Sequence, residues 1–158
     1  MKKITVPLFQ MGVLFIALII ILLAIFWLPQ TAAWFAEEAP EWAYLQYPLL
    51  IGIYITVIPF MLGIYEGLKL SRIVQINQAF SLAAVTSLKK IKGYALTIAV
   101  VYLMGTIILM QMVDLSPGIF LLGIIIMLAA LMFGLISGIL EDLLRKALEI
   151  KEENDLTV

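Results

Sequence analysis

From Ile4 to Leu28 the only polar side chains are those of Thr5 and Gln10. Further apolar runs cover 49–70, 94–113 and 119–140. A hydrocarbon layer about 30 Å thick is crossed by about 20 apolar residues wound as a helix. The four runs therefore predict an all-α, polytopic membrane protein, one domain of four transmembrane helices arranged as two hairpins. Composition agrees. The chain is 64% hydrophobic and 13% charged, whereas soluble domains are roughly 45–50% apolar and about 25% charged.

The hairpins are divided by a polar interruption over 71–93, which holds Arg72, Lys89, Lys90 and Lys92, with Lys69 just before it. Phe80-Ser81 reads as a helix start with Ser81 as N-cap. Phe80, Ala84, Leu88 and Ile91 then recur at helical spacing, so Ser81–Lys92 is expected to form an amphipathic helix. It either lies on the headgroups or enters the third span directly. The three lysines serve as a topology signal with lipid-phosphate contacts, or as a docking face for a soluble partner.

Every Lys and Arg lies in the N-terminus, the central loop with Lys69 just before it, or the segment 141–158, and none in the connections 29–48 and 114–118. The positive-inside rule then places both termini and the central loop in the cytoplasm. Lys2 and Lys3 precede an apolar run longer than the roughly 7–15 residues of a secretory signal, so the first span is expected to stay attached. The connection 29–48 carries Glu37, Glu38 and Glu41 among Trp34, Phe35, Trp42, Tyr44 and Tyr47, a composition that suits a short interfacial helix. An extracytoplasmic ligand site is the other reading. Pro59 is expected to kink the second span. Gly63/Gly67 and Gly134/Gly138 are small-xxx-small steps that permit close helix crossings.

The chain has no Cys and no His, which removes thiol nucleophiles, His bases and the common transition-metal ligands. No nucleotide or hydrolase motif is present, so an enzyme is not expected, nor a cofactor. Glu66 is the one carboxylate expected below the headgroups. It is read as an intramembrane ion pair with Lys69 three residues on, or alternatively as the proton or cation site of a small transporter or channel subunit. Gly63-Ile64-Tyr65-Glu66-Gly67-Leu68 is echoed by Gly138-Ile139-Leu140-Glu141-Asp142-Leu143, four identities in six at an offset of 75 residues. A duplication of two parallel hairpins and chance in a Gly-, Ile- and Leu-rich chain both account for it. Past Leu140 the helix is expected to continue into water, with Glu141–Arg145 and Asp142–Lys146 as i,i+4 pairs.

The loop residues Phe80-Ser81, Val85 and Leu88-Lys89-Lys90-Ile91, with the ending Glu152-Glu153-Asn154-Asp155-Leu156-Thr157-Val158, resemble a family of four-span bacterial membrane proteins of unknown function, numbered 2975. The family often has Asn where this chain has Ala84. The resemblance implies a membrane partner for a small cytoplasmic helix-turn-helix DNA-binding protein. The expected function is thus regulatory or scaffolding, with Phe80, Ser81, Leu88, Lys89, Lys90, Lys92, Glu152, Glu153 and Asp155 as the partner surface. Lysines 89, 90 and 92 are expected to attract the acidic tail. The other expected partner is membrane lipid; self-association is compatible, and direct nucleic-acid contact is not expected.

The orientation has a direct check, because a Cys-free chain accepts single Cys probes on a silent background. In intact cells an impermeant thiol reagent should label Glu38→Cys and leave Thr157→Cys untouched. The reverse pattern would invert the topology.

Overall fold

A computed structural model describes residues 2–112 and 117–156 of the chain, with side chains described for 5–111 and 120–154. All of the regular structure in these residues is helical. The elements are α1 (Lys2–Leu22), a π-helical turn (Leu23–Trp27), α2 (Leu28–Glu38), a 3₁₀ segment (Pro40–Leu45), α3 (Gln46–Gln75), α4 (Leu82–Met112) and α5 (Pro117–Leu156). Four helical stretches are long and apolar enough to cross a membrane. The turn expected at 114–118 lies outside the described residues up to Ser116, and α5 starts at Pro117.

The helices outrun the bilayer. At 1.5 Å per residue, the 30 residues of α3 span about 45 Å and the 40 of α5 about 60 Å. The hydrocarbon to be crossed is only about 30 Å thick. The excess lies at the end of the molecule that carries the central loop and the far part of α5, called here the basic end. The expected loop over 71–93 is accordingly much shorter. The second helix runs on to Gln75, the third begins at Leu82, and only 76–81 connects them.

Local chemistry sets both boundaries of that connection. The N–H of Gln78 reaches the carbonyl of Ile73 at 3.0 Å, and that of Asn77 reaches Val74 at 3.2 Å. This is a Schellman closure, which needs a left-handed residue just past the helix. Asn77 supplies it at φ 60°; Asn is among the few side chains that tolerate this region. At the other boundary the Ser81 hydroxyl accepts the N–H of Ala84 at 3.3 Å. From there α4 runs through Gly93 without a break, so the loop helix enters the third span directly and does not lie on the headgroups.

At the opposite end α1, the π turn and α2 form one continuous helix, since the joining residues Leu22, Trp27 and Leu28 all keep helical angles. The connection at 29–48 is therefore mostly an extension of the first span, closed by the 3₁₀ segment. In the π register the N–H of Leu28 bonds to the carbonyl of Leu23. The next donor in that register would serve Ala24, but it belongs to Pro29, which has none. The Tyr54 hydroxyl of α3 donates to the Ala24 carbonyl instead, at 2.7 Å.

Packing follows chain order: α1 lies on α3, α3 on α4, and α4 on α5. The α4–α5 seam is the tightest, and small residues explain why. A Cβ added at Gly134 would come within 3.2 Å of Leu96, and one at Gly138 within 3.0 Å of Lys92. Gly123 lies equally close to Thr106, at 3.0 Å. Of the two small-xxx-small steps, Gly134/Gly138 thus serves a crossing, while Gly63 and Gly67 have no neighbour within 4 Å of an added Cβ. Pro59 sits inside an unbroken α3.

By contrast α1 is nearly all exposed to lipid, with Ala17 as its buried residue among those described. Two of the hydrogen bonds among the described residues tie this first helix to α3. Tyr54 to Ala24 closes the far end, and at the basic end Gln10 Nε2 donates to Ser71 Oγ at 2.9 Å. Lipid tails are as apolar as leucine, so interhelical bonds of this kind contribute about 0.6 kcal/mol on average, up to about 1.7. The Gln10→Leu, Tyr54→Phe double variant should accordingly lose about 1–3 kcal/mol in an equilibrium unfolding titration in mixed micelles. An unchanged midpoint would show that the two bonds do not hold α1.

Candidate functional site

The polar chemistry of the basic end gathers around α4. Lys90 and Lys92 are two residues apart, about 200° around a helix that turns about 100° per residue. They therefore point to opposite sides, one toward α3 and the other toward α5. On the α3 side, Lys90 Nζ donates to Glu66 Oε1 at 3.0 Å, and the Ser87 hydroxyl donates to Glu66 Oε2 at 2.9 Å. On the α5 side, Lys92 Nζ lies 2.6 Å from Glu141 Oε2, and Arg145 reaches Glu141 Oε1 at 3.2 Å. Both carboxylates are buried, whereas the lysines keep part of their surface open. Each acid sits inside and each base reaches in from the boundary, the geometry expected of long side chains that snorkel.

Gly138 makes the second pair possible. The Lys92 stem crosses α5 where a side chain at Gly138 would stand. The glycine step of α5 is thus as much a channel for a lysine as a helix crossing.

The expected pair of Glu66 with Lys69 is present at 3.9 Å, at the edge of ionic contact. Lys90 is the closer cation, and Ser87 completes the cage. The i,i+4 pair of Glu141 with Arg145 forms as its spacing suggests. The sequence echo is one of position and not of partner. Glu141 draws its lysine from its own hairpin, α4–α5, while Glu66 draws one from the neighbouring hairpin, so the echo does not reproduce one packed unit twice.

The expected partner surface is divided. Lys90 and Lys92, expected to attract the acidic tail, instead hold Glu66 and Glu141. Ser81 caps α4. Lys89 is exposed, as are Glu152 and Glu153 on α5; the Asp155 side chain lies outside the described residues. Phe80 is 62% exposed, and Leu88 is buried.

Phe80 and Leu88 meet again in a feature that the sequence did not announce. An apolar groove of about 340 Å³ opens between the ends of α3 and α5, floored by the start of α4. Leu70 and Val74 form one wall, Phe80 and Ala79 the lip, and Leu143 and Ala147 the other wall. Hydrophobic spacing over 70–74, 80–88 and 140–147 is visible in the sequence, but not the convergence of the three segments.

A row of lipid-exposed helices clamped by paired charges at one end defines a multi-pass α-helical membrane protein. The chain belongs to the family described as "Protein of unknown function (DUF2975)", whose match covers residues 30–158. It is 36% identical over 160 residues to the "Uncharacterized membrane protein YoaS" of Bacillus subtilis (strain 168), with both chains covered in full. No solved structure matches it.

The clamp predicts a specific pattern of stability. Lys92→Met leaves Glu141 short of a partner and should cost about 1–3 kcal/mol. Adding Glu141→Met should recover most of that loss, because apolar replacement of a buried pair is often neutral. A double variant no more stable than Lys92→Met would mean that the two groups are not coupled.

Proposed function

We propose that this is a non-enzymatic regulatory or scaffold protein of the cytoplasmic membrane that docks a helix of a small cytoplasmic partner in the groove at its basic end. The observation that carries this reading is the depth of the groove. Lys69, Lys90, Lys92 and Glu141 mark the headgroup level, since charges at that position gather at the boundary. Leu82 lies eight residues beyond Lys90 along α4, and Ala147 six beyond Glu141 along α5, about 12 Å and 9 Å respectively. The interfacial layer is only about 5–8 Å thick on each side. The groove therefore reaches past the lipid into water, where Val74, Phe80 and Leu82 remain exposed. Apolar patches left in water mark protein-interaction sites. Amphipathic helices are the usual occupants of such grooves.

The orientation rests on the segregation of Lys and Arg, which puts the basic end in the cytoplasm. The partner follows from the family resemblance, a small helix-turn-helix DNA-binding protein whose availability this protein would control. A transporter reading draws less from the geometry. A cation arriving at Glu66 would first have to displace Lys90.

The reading is tested at Phe80. Phe80→Glu places a charge on the lip of the groove without touching either ion pair. Soluble proteins copurifying from native membranes should include a DNA-binding protein whose capture falls about tenfold or more in the variant, as for an anchor contributing about 2 kcal/mol. Capture indifferent to Phe80→Glu, with the variant normally inserted, would sink the docking reading.

A further inference from the structure

The side of α3 turned away from the groove carries an ordered stripe. Glu66 points at α4. Relative to it, the groove residues Leu70 and Val74 are rotated about 40° and 80° one way. Tyr65, Lys69 and Arg72 are rotated about 60–120° the other way. Ile58 and Leu62 extend that second stripe toward the bilayer centre at the same alternating spacing of three and four residues. All of it is open. Ile58, Leu62 and Tyr65 are 63%, 43% and 63% exposed, the Lys69 side chain is 44% exposed, and Arg72 is exposed. Chemistry along the stripe therefore follows the depth of one leaflet. It is aliphatic where acyl chains run, has a tyrosine at the boundary, and ends in two cations at the headgroups.

Across the seam α4 adds Lys90. Its ammonium and that of Lys69 share one carboxylate, lying 3.0 and 3.9 Å from the two oxygens of Glu66. An ammonium has three donors and no acceptor, so each keeps N–H groups for a second anion, and the Lys90 side chain is 47% exposed. Arg72 has no ion-pair partner among the described residues. Three cations thus face one carboxylate, which is buried and already paired. Residues 67–113 contain no Asp or Glu, so neither helix offers a free acid to the ammonium of a zwitterionic headgroup.

We propose that Lys69, Arg72 and Lys90 bind the phosphate of an anionic phospholipid in the leaflet at the basic end, with an acyl chain lying along Tyr65, Leu62 and Ile58. Basic pockets between transmembrane helices are a recurrent form of headgroup site. Because the phosphate is shared by two helices, the lipid adds a tie across the α3–α4 seam beside those made by Ser87 and Lys90. The site is on the reverse of the groove. Lipid and a groove occupant do not compete, and the site stands apart from the docking reading.

Lipid retention tests this on the full chain. The protein is reconstituted in nanodiscs of equimolar phosphatidylglycerol and phosphatidylcholine, released into neutral detergent, and its lipid adducts are read by native mass spectrometry. Phosphatidylglycerol should be retained several-fold over phosphatidylcholine. The Lys69→Gln, Arg72→Gln variant keeps the Glu66–Lys90 pair and should retain about tenfold less phosphatidylglycerol. Lys146→Gln, Lys151→Gln removes the same charge from α5 at the same end and should leave retention unchanged. Equal retention of the two lipids by the unmodified chain would overturn the proposal. So would equal losses from the two double variants, which would mean a diffuse basic belt. Displacement of phosphatidylglycerol by excess inorganic phosphate at constant ionic strength would overturn it too, since the ligand would then be a soluble anion. Should the first double variant fold poorly, Arg72→Gln alone breaks no ion pair among the described residues and should still lower retention several-fold. Unchanged retention in that variant would remove Arg72, and with it the site as proposed.

Discussion

Two buried glutamates, each held by a lysine of α4, set the arrangement of this protein. Between helices already in lipid there is little hydrophobic reason to associate, because side chains merely exchange one apolar neighbour for another. A carboxylate at the edge of the hydrocarbon changes that balance. Left alone it is costly; paired with a lysine that keeps one end toward the headgroups it is tolerated. Glu66 can find that partner only with α4 beside α3, and Glu141 only with α4 beside α5. The opposite directions of Lys90 and Lys92 thus place α4 between its neighbours before any packing detail is considered. The glycines of α5 then adjust the distance.

Much of this was legible in the sequence, and the remainder was hidden for an identifiable reason. Hydropathy over a span-length window is a strong signal, so the four helices followed from residue types alone. Helix ends beyond the hydrocarbon carry no such signal. The end of α3 was written in Asn77, a residue suited to left-handed backbone, and it was obscured by the polar run around it. The partners of Lys90 and Lys92 were obscured differently. A cluster of lysines reads as one basic patch in one dimension, yet a separation of two residues on a helix divides it into opposite faces. Taken with two glutamates at equivalent depths in α3 and α5, that separation was a usable clue. The groove had none, since it exists only where three distant segments meet.

The groove is built from the excess helix length. A span needs about 20 residues, and α3, α4 and α5 each exceed that at the same end. Had they stopped at the headgroups, Val74 and Phe80 would not stand beyond the lipid. Carried past the lipid, the same apolar surface forms an open groove. Length, and not any special residue, gives the end of a membrane bundle this apolar groove.

The order of packing has a consequence for how the protein is made. Helices leave the ribosome in the order in which they lie side by side, and each presents a polar group for which the next supplies a partner. Gln10 and the Ala24 carbonyl wait for α3; Glu66 waits for Ser87 and Lys90; Lys92 waits for Glu141. Biogenesis therefore proceeds as a relay, with no span obliged to push between two that have already joined. A chain that stops short would leave such groups without their partners: Gln10 and the Ala24 carbonyl at opposite ends of the first helix, Glu66 with Lys69 alone, or Lys92 without Glu141.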